Sequence, residues 1–152
     1  MKATQLYEVF GKFSSVEEIN MTATGLLEEG DIENLKVLAK ENGLEDMVDL
    51  YTASAVEALT DSFMAAIGRL NVEATTEEIE TASKEIPALP IIEYLQSKCD
   101  EPKVAQAIMR ADKELIGCIA YIRGKAKESV TKNKPYLADM VVFQMAIDYY
   151  TK

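Results

Sequence analysis

Apolar residues recur at three- and four-residue intervals along nearly the whole chain, and no stretch alternates long enough to build a sheet. The pattern predicts a short first helix over Thr4–Phe10, with Leu6, Val9 and Phe10 apolar, ended by Gly11. Ser14 or Ser15 caps the next helix, with Glu17 and Glu18 in its first turn, where carboxylates complement the helix dipole. Ile19 and Leu26 mark its apolar side and Gly30 stops it. Asp31 is an N-cap for a helix over Ile32–Asn42, in which Ile32, Leu35, Leu38 and Ala39 share a face and Gly43 ends the run. Residues 44–52 form a shorter helix leading into the strongest amphipathic pattern, Ala53–Leu70. Val56, Leu59, Phe63, Ala66, Ile67 and Leu70 make its apolar stripe, and Glu57, Asp61 and Arg69 fall largely elsewhere on the wheel.

Residues 71–90 read as a junction. A turn or a brief extended piece over Asn71–Thr76 precedes an acidic helix over Glu77–Glu85, with Ile79, Ala82 and Ile86 on one face, and Pro87 and Pro90 interrupt it. Proline is tolerated in a first helical turn, so the next helix spans Pro90–Lys98. Pro102 opens another helix, and Asp112 or Lys113 opens one running to about Glu128, with Leu115, Ile119, Ile122 and Ala126 on its stripe. After a polar turn, the last helix covers Tyr136–Thr151 and is apolar almost all round, which predicts burial in a core or an interface. The expected architecture is all-α: one compact unit over residues 1–152, with seven to nine helices, several of them short. A joint at 71–90 separates an acidic front (1–86) from a more basic rear (90–152).

Charge sharpens this division. The chain has 152 residues and a formal charge of −10. Residues 1–100 hold 20 acidic and 7 basic side chains, a balance of −13; residues 101–152 hold 6 acidic and 9 basic, a balance of +3. A field of that sign repels nucleic acid, so direct nucleic-acid binding is not expected and the expected partner is a basic protein. Glu57, Asp61, Glu77, Glu78 and Glu80 are the candidate partner-binding carboxylates. Glu57 and Asp61 lie four apart on the helix expected over Ala53–Leu70 and share a face. No apolar run approaches a membrane span, and the N-terminus has no apolar signal segment, so a cytoplasmic protein is expected.

The inventory for chemistry is thin. There is no His, which removes the commonest general base and metal ligand. Cys99 and Cys118 are 19 residues apart, which fits no zinc pattern, and Cys118 sits in an apolar run as a buried thiol. The seven glycines are scattered and build no phosphate loop. Adjacent glutamates such as Glu77 and Glu78 diverge by about 100° on a helix. No enzyme activity, metal or cofactor is expected. Arg123, Lys125, Lys127, Lys132 and Lys134 fall within twelve residues. They serve either as dipole-complementing cations at a helix C-terminus or as an anion and nucleic-acid patch, with Tyr136 nearby. Phe143, Tyr149 and Tyr150 form an aromatic end that either packs in the core or presents a surface for a partner or a second copy; the C-terminal helix is thus a candidate dimer contact.

Two segments of the rear region carry a likeness. One is Lys113, Leu115, Cys118, Ile119, Tyr121 and Ile122; the other is Asp139, Val142, Phe143, Met145, Ala146, Tyr149 and Tyr150. In these positions the chain resembles the PcfK-like family, proteins of conjugative plasmids and related mobile elements in Gram-positive bacteria. The resemblance implies a helical accessory protein of mobile DNA and brings no established activity with it. Asp139 is read as a cap or first-turn carboxylate, and Phe143 and Tyr149 as packing residues. The expected function is a non-enzymatic interaction protein of a plasmid, integrative element or phage. The alternatives are an acidic anti-defence inhibitor that occupies a basic nuclease channel, as an anti-CRISPR protein would, and a nucleic-acid-binding accessory using residues 123–134.

Overall fold

A computed structural model describes residues 1–129 and 138–152, and among them every regular element is helical. The nine α-helices are α1 (Val16–Glu28), α2 (Ile32–Glu41), α3 (Val48–Thr52), α4 (Ser62–Ala74), α5 (Glu77–Ala82), α6 (Ala88–Ser97), α7 (Pro102–Ile108), α8 (Leu115–Ser129) and α9 (Asp139–Thr151). Local chemistry sets most of their ends. Ser15, Asp31, Asp61 and Thr76 each cap a helix by accepting a bond from a backbone N–H three residues on. Glu18 reaches back to the Ser14 N–H and hydroxyl, which fixes the entry to α1 and holds its carboxyl below the usual range. Gly30 and Gly43 end α1 and α2 at φ of 72° and 69°.

Helix α4 is the central element. It packs against α5, α6, α7 and α8, and α9 closes on α6, α7 and α8, while α1 and α2 pack on each other. The buried apolar residues form two clusters that divide on α4. Ala65 belongs with Ile19, Leu35, Leu38, Leu44 and Leu59 in the front cluster. Ala66 and Leu70 belong with Ile91, Leu95, Ile108, Ile119 and Tyr150 in the rear one. The backbones of α4 and the turn after α2 meet directly. A Cβ placed on Gly68 would lie 2.3 Å from the Asn42 carbonyl oxygen, and one on Gly43 would lie 2.5 Å from that of Gly68.

Two expectations are corrected and a third is narrowed. The first thirteen residues make one 3₁₀ turn (Ala3–Gln5) and then turns, not a helix over Thr4–Phe10, with Tyr7 at φ 59°. The helix expected from Ala53 starts only at Ser62. The Asn20 side chain donates to the Thr60 carbonyl at 3.0 Å and accepts from its N–H at 3.1 Å, which takes both backbone groups away from a helical ladder. Glu57 therefore lies in an irregular segment and shares no helical face with Asp61, and Phe63 is 45% exposed. The C-terminal helix is not buried all round: Ala146 and Tyr150 are buried, but Met140 and Val141 face solvent. Asp139 stands in its first turn, after an Ala138 N-cap that offers no side-chain bond.

Candidate functional site

The chain's first thirteen residues form a strap tied across the body by polar bonds. Ala3 N–H donates to the Glu78 carboxylate of α5, and the Met1 carbonyl accepts from Glu77 N–H at 2.8 Å. Both oxygens of Glu41, the last residue of α2, accept from the strap backbone: from Val9 N–H at 2.8 Å and from Phe10 N–H at 3.0 Å. Tyr7 Oη donates to Glu73 at 2.8 Å. The Lys12 ammonium donates to the Lys113 carbonyl and lies 3.7 Å from the Glu73 carboxylate.

Arg69 and Glu73, one turn apart on α4, are the buried charges beneath this strap, 2% and 5% exposed. Arg69 donates to the Met109 carbonyl at 2.5 Å and the Phe13 carbonyl at 2.7 Å, and its guanidinium stands 5.7 Å from the centre of the Tyr7 ring. Glu73 also accepts from Leu115 N–H at 2.7 Å, so it ties the start of α8 to the strap. Burial raises the Tyr7 hydroxyl pKa and lowers that of Lys12, the nearby Glu73 carboxylate adding to the first and opposing the second. A cavity of about 90 Å³ touches Tyr7, Lys12, Glu73 and Glu114. Tyr7, Lys12 and Glu73 already bond to one another and to backbone, so the arrangement acts as a clasp and presents no activated nucleophile.

The larger opening lies on the outer side of the strap. A groove of about 650 Å³ runs between strap residues Met1, Leu6 and Glu8, the end of α2 at Val37 and Glu41, and Val72 of α4. Glu45 and Asp46, in the 3₁₀ turn after α2, complete its acidic rim, and Lys40 lines it as well.

The carboxylates singled out in the sequence do not form one surface. Glu57 and Asp61 are exposed near the start of α4, while Glu77, Glu78 and Glu80 occupy the first turn of α5 beyond its other end. The thirteen residues of α4 hold these groups about 20 Å apart. Glu77 and Glu80 are exposed, and Glu78 is half-buried against the strap.

The basic cluster is partly neutralised. Arg123 Nε lies 3.7 Å from Glu85, Lys125 lies 3.8 Å from Glu128, and Lys127 stands exposed in the last turn of α8; Lys132, Lys134 and Tyr136 lie outside the described residues.

The residues singled out in the rear region do come together. Cys118 is fully buried, Sγ 4.0 Å from the Ala146 carbonyl, and burial pushes its thiol up to about 12. The Tyr121 and Tyr150 rings lie 5.9 and 5.1 Å from that of Tyr149, whose hydroxyl accepts from Glu114 N–H at 3.3 Å. A Cβ on Gly117 would lie 2.2 Å from that hydroxyl, so the glycine makes room for it. Phe143 stacks on Tyr94 of α6 at 4.5 Å and is only half-buried.

Tyr7, Lys12, Glu41, Arg69 and Glu73 were not expected at a site. One signal pointed to two of them: Arg69 and Glu73 continue the helical spacing of Ala66 and Leu70, opposite charges set into an apolar stripe.

A family model described as PcfK-like protein matches residues 83–152, which extends the resemblance upstream to take in α6 and α7 as well as α8 and α9. No curated protein and no solved structure matches the chain. Among the described residues no helix is long and apolar enough to cross a membrane, and no group of three or more His, Cys, Asp or Glu is placed to hold a metal ion.

Proposed function

We propose that this chain is a non-enzymatic interaction protein that binds a basic protein through its acidic front. The observation that carries this reading is the fate of the charges on folding. Of the seven cations in residues 1–100, Arg69 is buried and Lys12 is turned inward onto Glu73. Outside this clasp, that part of the chain has 19 carboxylates against five cations, more one-sided than the sequence balance itself. The pairing of Arg123 with Glu85 and of Lys125 with Glu128 weighs against a nucleic-acid patch on α8. The match of residues 83–152 to PcfK-like protein supports an accessory role in a mobile genetic element, with a DNA-handling protein as the basic partner.

Binding to short duplex DNA and to purified basic DNA-handling proteins tests this reading. Near physiological salt the duplex should not bind, and partner binding should weaken as salt rises and screening shortens the reach of exposed charges to about 8 Å. Changing Glu77 and Glu80 to Gln should slow association more than it speeds dissociation, since exposed rim charges mainly steer encounter. Glu78 is left intact because it holds the strap. Micromolar duplex binding that disappears when Lys125, Lys127, Lys132 and Lys134 become Ala would overturn the proposal.

A further inference from the structure

We infer that the groove beside the N-terminal strap is the docking site on the acidic front, and that its occupant is an extended, lysine- or arginine-bearing segment of the partner protein. This rests on the reading of the chain as an acidic interaction protein and adds a place and a ligand chemistry to it. The groove's volume of about 650 Å³ lies within the usual range of ligand sites. Its walls combine apolar and acidic surface with one lysine, Lys40. Met1, Leu6, Val37 and Val72 are apolar and suit the methylene stems of long basic side chains. Glu8, Glu45 and Asp46 are exposed carboxylates, and among the described residues none of the three makes an ion pair or a side-chain hydrogen bond. Glu41 is different, since the strap backbone already occupies both of its oxygens; it fixes the groove wall.

The spread of these carboxylates decides between ligands. No three acidic groups among the described residues converge as a metal ion requires. Exposed carboxylates beside apolar wall residues instead match long basic side chains carried on a polypeptide. The net negative charge of the lining disfavours a polyanion. The wall is also preformed: five strap residues, Ala3, Tyr7, Val9, Phe10 and Lys12, are bonded to the body, so little ordering cost remains for binding.

The test uses the full chain and a short fluorescein-labelled peptide alternating lysine and leucine, read by fluorescence anisotropy at low salt. Changing Glu8 and Glu45 to Gln with Asp46 to Asn should weaken binding about tenfold. The control Glu28→Gln, Glu29→Gln, Glu33→Gln removes the same charge from exposed positions on α1 and α2 outside the groove and should change it by less than about twofold. Thr75→Trp leaves charge alone and places a large side chain in the groove, so it should also weaken binding, with circular dichroism confirming the fold. If the control weakens binding as much as the groove variant and Thr75→Trp does nothing, the docking site is overturned while the acidic interaction reading stands. If the unaltered protein binds neither the peptide nor any basic protein at low salt, both fall.

Discussion

One methyl group, placed at two glycines, should act with opposite sign. Gly25 lies inside α1, and a Cβ there would meet nothing within 4 Å. Gly25→Ala should therefore show only the helix-propensity gain, about 0.5–1 kcal/mol. Gly68 lies inside α4 and carries the same propensity term, but its Cβ would stand 2.3 Å from the Asn42 carbonyl oxygen and 3.0 Å from that of Gly43. Ordinary contact begins near 3.4 Å, so the two backbones must part by about 1 Å. The obstacle cannot rotate away. Asn42 is buried, its own side chain donates to the Leu38 carbonyl, and the turn beyond it rests on Gly43 at positive φ. Overpacking of this kind costs about 1–3 kcal/mol or more, which exceeds the propensity gain. The propensity terms cancel, so the two variants should differ by about 1–3 kcal/mol or more in urea unfolding, read as a shift in midpoint at unchanged slope. In thermal melts the gap should be several degrees, since about 2–4 °C accompany each kcal/mol at this size. A Gly68→Ala protein as stable as Gly25→Ala would refute the close approach of α4 to the turn after α2.

Glu73→Gln should cost about 3 kcal/mol in urea unfolding, because Lys12 loses the buried negative charge it is paired with; adding Lys12→Met should recover part of the loss, and a single variant within about 0.5 kcal/mol of the parent would refute the clasp. Phe143→Ala should cost about 1–3 kcal/mol, less than a fully buried ring, since the side chain is half-buried and stacks on Tyr94; calorimetry showing a loss above about 4 kcal/mol would place the ring in the core. Cys118 sets an alkaline limit. Its folded pKa of about 12 stands above an ordinary 9.0, so its contribution is intact below pH 9 and is lost as pH rises toward 12, by about 4 kcal/mol in all. Cys118→Ala should flatten that part of the stability profile, and an unchanged slope would show that the thiol meets water.

The parts of this fold legible in the sequence are those fixed by nearest neighbours. Ser15, Asp31, Gly30, Gly43 and Pro102 mark helix ends with side chains or φ angles that act within one turn, and each stands where the pattern put it. The failures share one cause, a bond across long sequence separation. Asn20 captures Thr60 over forty residues and delays α4; Glu41 and Glu78 hold a strap that local pattern read as helix. The candidate site follows the same rule. Its carboxylates were visible one by one, but which of them share a groove depends on where the strap lies. Arg69 was set on the polar side because charge was read as exposure, whereas carbonyls from Met109 and Phe13 make its burial tolerable.

The division of the two apolar clusters on α4 bears on how such a protein can be taken apart. The segment that matches PcfK-like protein begins at residue 83, yet the rear cluster is completed by Ala66, Leu70, Ile79 and Ala82 from upstream of it. Within the segment, Met109 belongs to the front cluster instead. The sequence boundary and the packing boundary are therefore different cuts through the chain. A fragment of the later helices alone would leave open the face that α4 covers. A fragment meant to isolate the rear should start at Asp61, the cap of α4, and carry that helix with it.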